Sequence, residues 1–165
     1  MGDAPQVLLD PEVAAFIQGG VSVVIAGRNA ELVPDVARGC GCRVSRDRRR
    51  VTVLVESGRA EILLADIGAT GKVAVVFSQP STHRTIQLKG DDATIVPVTK
   101  SERRIADHHL LAWVADLVSA GFRADFAAAL RGRAERSVAA IRFTPTSAFE
   151  QTPGPAAGQR LGASA

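Results

Sequence analysis

The pattern of apolar and polar positions divides the chain into short β segments with a few helices set among them. Asp10-Pro11-Glu12 opens a short helix, with an Asp N-cap, proline at the first helical position and an acid in the first turn. Val13, Phe16 and Ile17 share one face of it, and Gly19-Gly20 ends it. Residues 21–26 (VSVVIA) read as a strand that turns at Gly27-Arg28-Asn29. A second strand starts at 34–38 and runs, kinked at Gly39 and Gly41, to Ser45. Residues 51–55 (VTVLV) are apolar without alternation, which predicts a strand buried on both faces. Residues 57–65 predict a helix with Ser57 as N-cap, and strands follow at 72–77, 82–88 and 93–98. Thr99-Lys100-Ser101-Glu102 is a capping-box pattern. It opens an amphipathic helix over 100–119 whose apolar face is Ile105, Leu110, Val114, Leu117 and Val118. An alanine-rich helix covers 124–130, and 138–143 (VAAIRF) is the last predicted strand.

Helices do not follow every strand, so a doubly wound parallel sheet is disfavoured. The pattern predicts a mainly β (α+β) fold, a small antiparallel barrel with accessory helices. The predicted domain spans 1–150. From Gln151 to residue 165 the chain turns to Gly, Pro and Ala, which predicts a coil tail, ordered only where something holds it.

Composition narrows the function classes. The chain has 165 residues, enough for one domain with a core that needs no staples. Aromatics are 4% of it, with one Trp and no Tyr, so the core is aliphatic and stacked-base recognition of nucleic acid is disfavoured. A net charge of +3 does not require a polyanionic partner. The basic cluster Arg46, Arg48, Arg49, Arg50 has no aromatic platform beside it and reads as a solvated turn rather than a nucleic-acid module. No apolar run reaches the ~18 residues of a membrane helix. The N-terminus lacks a basic start followed by an apolar segment, and a cytoplasmic setting is expected. Cys40 and Cys42 have no second pair for structural zinc, so no metal is expected. His83 reads as part of a turn after Pro80-Ser81, and His108-His109 as a helix-surface pair. No Ser-His-Asp pattern, P-loop or Rossmann glycine pattern is present, and no residue is singled out as a catalytic acid or base.

Three local patterns carry a resemblance. Arg38 is followed five residues later by Arg43 on the second strand (RGCGCR); Ser57-Gly58-Arg59-Ala60 follows the third strand; Arg84-Thr85-Ile86-Gln87-Leu88-Lys89 ends in Gly90. In this order the patterns resemble the FMN-binding split barrels of the pyridoxamine 5′-phosphate oxidase family, over roughly residues 10 to 100. The resemblance implies an FMN cofactor, with haem or a deazaflavin as alternatives. It places the flavin phosphate near Arg38, Arg43, Ser57 and Arg59, with Arg84 and Thr85 toward the ring. It further implies a homodimer with the flavin at its two-fold interface, where Trp113, Leu117 and Phe122 are available to cover a partner. The activity it implies is redox chemistry on a small-molecule substrate; the alternative is storage or sensing of flavin or haem without turnover.

The departures are specific. The family's aromatic-Thr pair on the third strand is Leu and Val here, and the Gln after the fifth-strand Arg is Thr85. Nothing after residue 100 matches the oxidase's C-terminal substrate motif, so vitamin B6 oxidation is not implied. Physically, guanidinium groups and a helix N-terminus suit a phosphate. A regular strand, however, points Arg38 and Arg43 to opposite faces, and the irregularity at Gly39 and Gly41 has to correct this.

Overall fold

The computed structural model describes residues 6–130 and 137–162. Helix α1 (Pro11–Ile17) leads into β1 (Ser22–Arg28), β2 (Pro34–Val44) and β3 (Val51–Glu56). A single 3-10 turn, Ser57–Arg59, precedes α2 (Glu61–Thr70), then β4 (Val73–Ser78), β5 (Thr85–Gly90) and β6 (Thr94–Val96). Helices α3 (Lys100–Ser119) and α4 (Ala124–Leu130) separate these from β7 (Val138–Phe143) and β8 (Pro145–Glu150).

The strands form one sheet in the order β6-β7-β3-β2-β1-β4-β5-β8, and all its pairings are antiparallel. This is the mainly β architecture with accessory helices that the pattern predicts. Strand β2 joins its two halves. Its first half pairs with β1 (Val24 opposite Arg38) and its second half with β3 (Arg43 opposite Thr52). The core is aliphatic, built on Val23, Ile25, Val53, Val75, Ile86 and Ile141, with Phe77 and Phe143 as its large rings.

Helix α3 lies on the outer face of β2 and covers Leu54, which is fully buried although it faces away from the main core. Gly41 makes this close approach possible. A Cβ there would sit 3.1 Å from Ile105 Cγ2, and its φ of 149° favours glycine. The capping box forms as expected: the Thr99 hydroxyl accepts from the Glu102 N–H, and the Glu102 carboxylate accepts from the Thr99 N–H. The face of α3 differs from the predicted one. Val114 and Leu117 are buried, but Val118 is 43% exposed, and Glu102 and His109 are buried in its place. A polar side chain with an internal partner occupies a buried position as well as an apolar one does, and hydropathy alone does not register the partner.

Other expectations need correction. Ser57 does not cap a helix: its hydroxyl donates to the Ser137 carbonyl, and α2 starts later, after Ala60. Strand β5 begins at Thr85 because residues 79–84 close a turn through Gln79 N–H to Arg84 O and His83 N–H to Gln79 O. His109 is not a surface residue. Strand β8 is not among the predicted strands; PTSAFE has a weak alternation and starts on proline, a residue confined to strand starts and edges. Residues 151–162 do not hang free either. They turn back on β8 through Glu150 N–H to Gln159 O and Leu161 N–H to Ala148 O, and Leu161 packs against the core. No helix among the described residues is long and apolar enough to cross a membrane.

Candidate functional site

Arg38 and Arg43 point to the same side of β2. Ala37 and Cys42 both pack against the core, so the residues beside them, Arg38 and Arg43, both point away from it. The odd spacing is absorbed by a bulge, where the β2–β3 register shifts between Gly39 and Gly41. Sharing a face does not bring the two guanidiniums to one site. Arg43 Nη2 donates to Glu102 Oε1 at 2.7 Å, beneath the start of α3.

Arg38 instead opens onto a groove of about 1080 Å³ that it shares with Arg59. The groove exists because β3 ends while β2 runs on. Val55 is the last β3 residue paired with β2, opposite Gly39, and the chain then turns away through Glu56 and Arg59. Arg38 Nη1 donates to Ser22 Oγ at 3.1 Å, and its guanidinium carbon lies 5.3 Å from the centre of the Trp113 ring. Arg59 makes a long contact with Glu56, 3.5 Å, and its side chain is 61% exposed. Helix α3 forms one wall with Arg103, Ala106, Asp107, Leu110, Trp113 and Leu117, a single stripe at helical spacing. Phe122, Phe126 and Ala129 also line it.

The remaining expected residues lie elsewhere. Ser57 is engaged with Ser137 and does not line the groove. Arg84 is paired with Glu12 at 3.0 Å and stacked 4.5 Å over the Phe16 ring, against α1. Thr85 bonds Ser78 at 2.8 Å, and its N–H donates to the Thr152 hydroxyl. The structure therefore brings together Arg38 and Arg59 and separates them from Arg43, Ser57, Arg84 and Thr85. Residues 151–162 do not line the groove. Arg103, Asp107 and Phe126 are groove residues that sequence reasoning does not single out. The only signal for Arg103 and Asp107 is the helical stripe of α3, which hydropathy assigns to solvent because it is partly charged; Phe126, on α4, lies outside that stripe.

The donor set suits a phosphate: two guanidiniums from different elements, one stacked in place by Trp113. Trp113 Nε1 is buried without a hydrogen-bond partner among the described residues. Cys40 lines the same groove, whereas Cys42 is in the core, where burial pushes its thiol pKa up and keeps it protonated.

His109 pins the middle of α3. Its Nε2 lies 2.7 Å from the Val21 carbonyl, so the neutral ring donates there. Burial holds its pKa below the ordinary histidine value, against the opposing effect of that carbonyl. The unfolded chain then binds a proton that the folded chain resists. This contribution to stability is full above about pH 6.5 and declines as pH falls below it. Urea midpoints should drop on acidification through this range, and His109→Gln should flatten that slope. An unaltered slope would assign the acid sensitivity to other groups.

Neither a protein-family model nor a curated protein sequence matches the chain. Solved structures do. HupZ of Group A Streptococcus aligns over 91% of this chain and 99% of its own, at 15% identity and a TM-score of 0.55. An F420 reductase aligns over 85% of this chain and 98% of its own, at 13% identity and the same TM-score of 0.55. A candidate pyridoxamine 5′-phosphate oxidase from Lactobacillus delbrueckii aligns over 86% and 93%, at 15% identity and a TM-score of 0.50. The chain has the split-barrel fold of the pyridoxamine 5′-phosphate oxidase-like proteins. At these identities the likeness concerns the split barrel itself and not its chemistry.

Proposed function

We propose that this split barrel binds FMN in the groove beside α3 and uses it for redox chemistry on a small molecule. The observation that supports this most is the convergence of Arg38 and Arg59, from β2 and from the turn after β3, on one groove with aromatic walls. Arg38 and Arg59 would hold the phosphate, with the Trp113 ring keeping the Arg38 guanidinium in place. When bound, the flavin supplies the hydride or electron transfer; this chain's residues bind it, orient it and shield it from water. An F420 reductase shares the fold, so a deazaflavin is the second cofactor to test.

The visible spectrum of the purified protein, and FMN titrations into it, test the reading. Arg38→Ala and Arg59→Ala should each weaken FMN binding by about 2 kcal/mol, or roughly thirty-fold, as expected for loss of a charge-assisted contact. Unchanged affinity in both variants would overturn the assignment.

A homodimer belongs to the same proposal. The β1–β2 hairpin exposes Leu32, Val33 and Val36 at 67%, 57% and 62%, an apolar surface that a second copy would cover. Light scattering at micromolar concentration should give twice the chain mass; a monomer would remove the dimer from the proposal.

A further inference from the structure

The groove is longer and more apolar than an anion site requires. Its α3 wall runs from Arg103 to Leu117, about 21 Å of helix. Beyond its charged residues the groove has an apolar lining of Leu117, Phe122, Phe126 and Ala129 from the helical side and Val36 and Val138 from the strands. Phe122 and Phe126 stack with ring centroids 6.0 Å apart and planes 27° from parallel. They remain 49% and 51% exposed. Two neighbouring half-exposed phenylalanines lining a groove form a ready surface for a flat ring. Arg38 stands at the start of this region, stacked on Trp113 one helical turn before Leu117. Its hydrogen bond goes to the neutral Ser22 hydroxyl, and no carboxylate among the described residues pairs with its charge.

We infer that the cleft between α3 and α4 holds the ring system of an aromatic anion, with Phe122 and Phe126 as its ring-side wall and Arg38 gripping the anionic group. The identity of that ligand as FMN rests on the proposed function; its class, a flat apolar body with one anionic end, rests on the groove alone. The ring therefore lies toward α4 and not toward Arg84 and Thr85.

The test uses the full chain and three probes: FMN, riboflavin and the aromatic sulfonate anilinonaphthalenesulfonate, read by fluorescence. Trp113 is the only tryptophan and lines this groove, so energy transfer from it reports a bound sulfonate, and the variants below assign that sulfonate to the cleft. The double variant Phe122→Ser/Phe126→Ser should weaken all three probes by roughly tenfold or more, and Phe→Leu at both positions should restore most of the loss. Arg38→Ala should weaken FMN and the sulfonate but leave riboflavin, which has no phosphate, unchanged. FMN binding that is indifferent to the double variant would overturn the ring placement while leaving the cofactor reading intact. If wild type binds the sulfonate through Phe122 and Phe126 but never FMN, the inference stands and the cofactor reading falls. A shift in oligomeric state on Phe→Ser, seen by light scattering, would assign the pair to an interface between copies and overturn the inference. So would failure of all three probes to bind the wild type.

Discussion

Glu102→Ala should cost the fold about 2 to 3 kcal/mol, through the lost cap and the lost charge-assisted bonds of a buried carboxylate whose partner Arg43 is itself 38% exposed. Glu102 is fully buried, and its two oxygens have different partners. Oε1 accepts from Arg43 at 2.7 Å; Oε2 accepts from the Thr99 N–H at 2.8 Å and the Thr99 hydroxyl at 3.0 Å. Removing the carboxylate opens the capping box and leaves Arg43, whose Nε already lacks a partner among the described residues, without its counter-charge. Burial alone would push the carboxyl pKa up, but the Thr99 N–H, the Arg43 guanidinium and the Thr99 hydroxyl outweigh it and hold the pKa below its ordinary value. Its contribution to stability is therefore present above the ordinary carboxylate range and lost as pH falls through the depressed value. Urea denaturation of wild type, Glu102→Gln and Glu102→Ala should give three ordered midpoints, with Gln between the others because it keeps an acceptor. A loss below about 0.5 kcal/mol for Ala would mean that the pair does not seat α3.

Gly20→Ala should cost a comparable ~2 to 3 kcal/mol, by overpacking. A Cβ on Gly20 would lie 2.5 Å from the Ala112 carbonyl carbon and 2.7 Å from both its oxygen and its Cβ. Two of those atoms are backbone, so no rotamer relieves the contact and α3 must move away. Trp113 is the next residue, so the sole tryptophan's emission should shift along with the melting temperature. Gly58→Ala is the control: nothing lies within 4 Å of the position its new methyl group would take, and stability should hardly change. If Gly20→Ala behaves like Gly58→Ala, helix α3 tolerates displacement and the groove wall is softer than its contacts imply.

Both predictions concern the same helix because α3 turns a sheet surface into a groove. At its start, Glu102 holds it over Arg43; in the middle, His109 bonds the Val21 carbonyl; at its end, Asp116 accepts from Gln79 and from Ser81. These are polar ties between distant segments.

Features that depend on neighbours along the chain are legible before any folding is considered. The Thr99–Glu102 capping box, the helix over 100–119, the apolar strand at 51–55 and the mainly β order of elements all follow from local spacing. So does the presence of an irregularity at Gly39 and Gly41. Which side chains meet is a different matter, settled by packing. Strand β8 forms because β5 offers it an edge, which PTSAFE does not signal on its own. Arg43, matched to Arg38 by motif, is claimed by Glu102 from a helix 59 positions away in sequence. Phe122 and Phe126 reach the groove that Val36 also lines only because α4 packs back against α3. Periodicity encodes which face of an element is apolar, since that depends on residues a few positions apart. A charged side chain's partner is chosen by packing between segments whose separation along the chain carries no periodic mark.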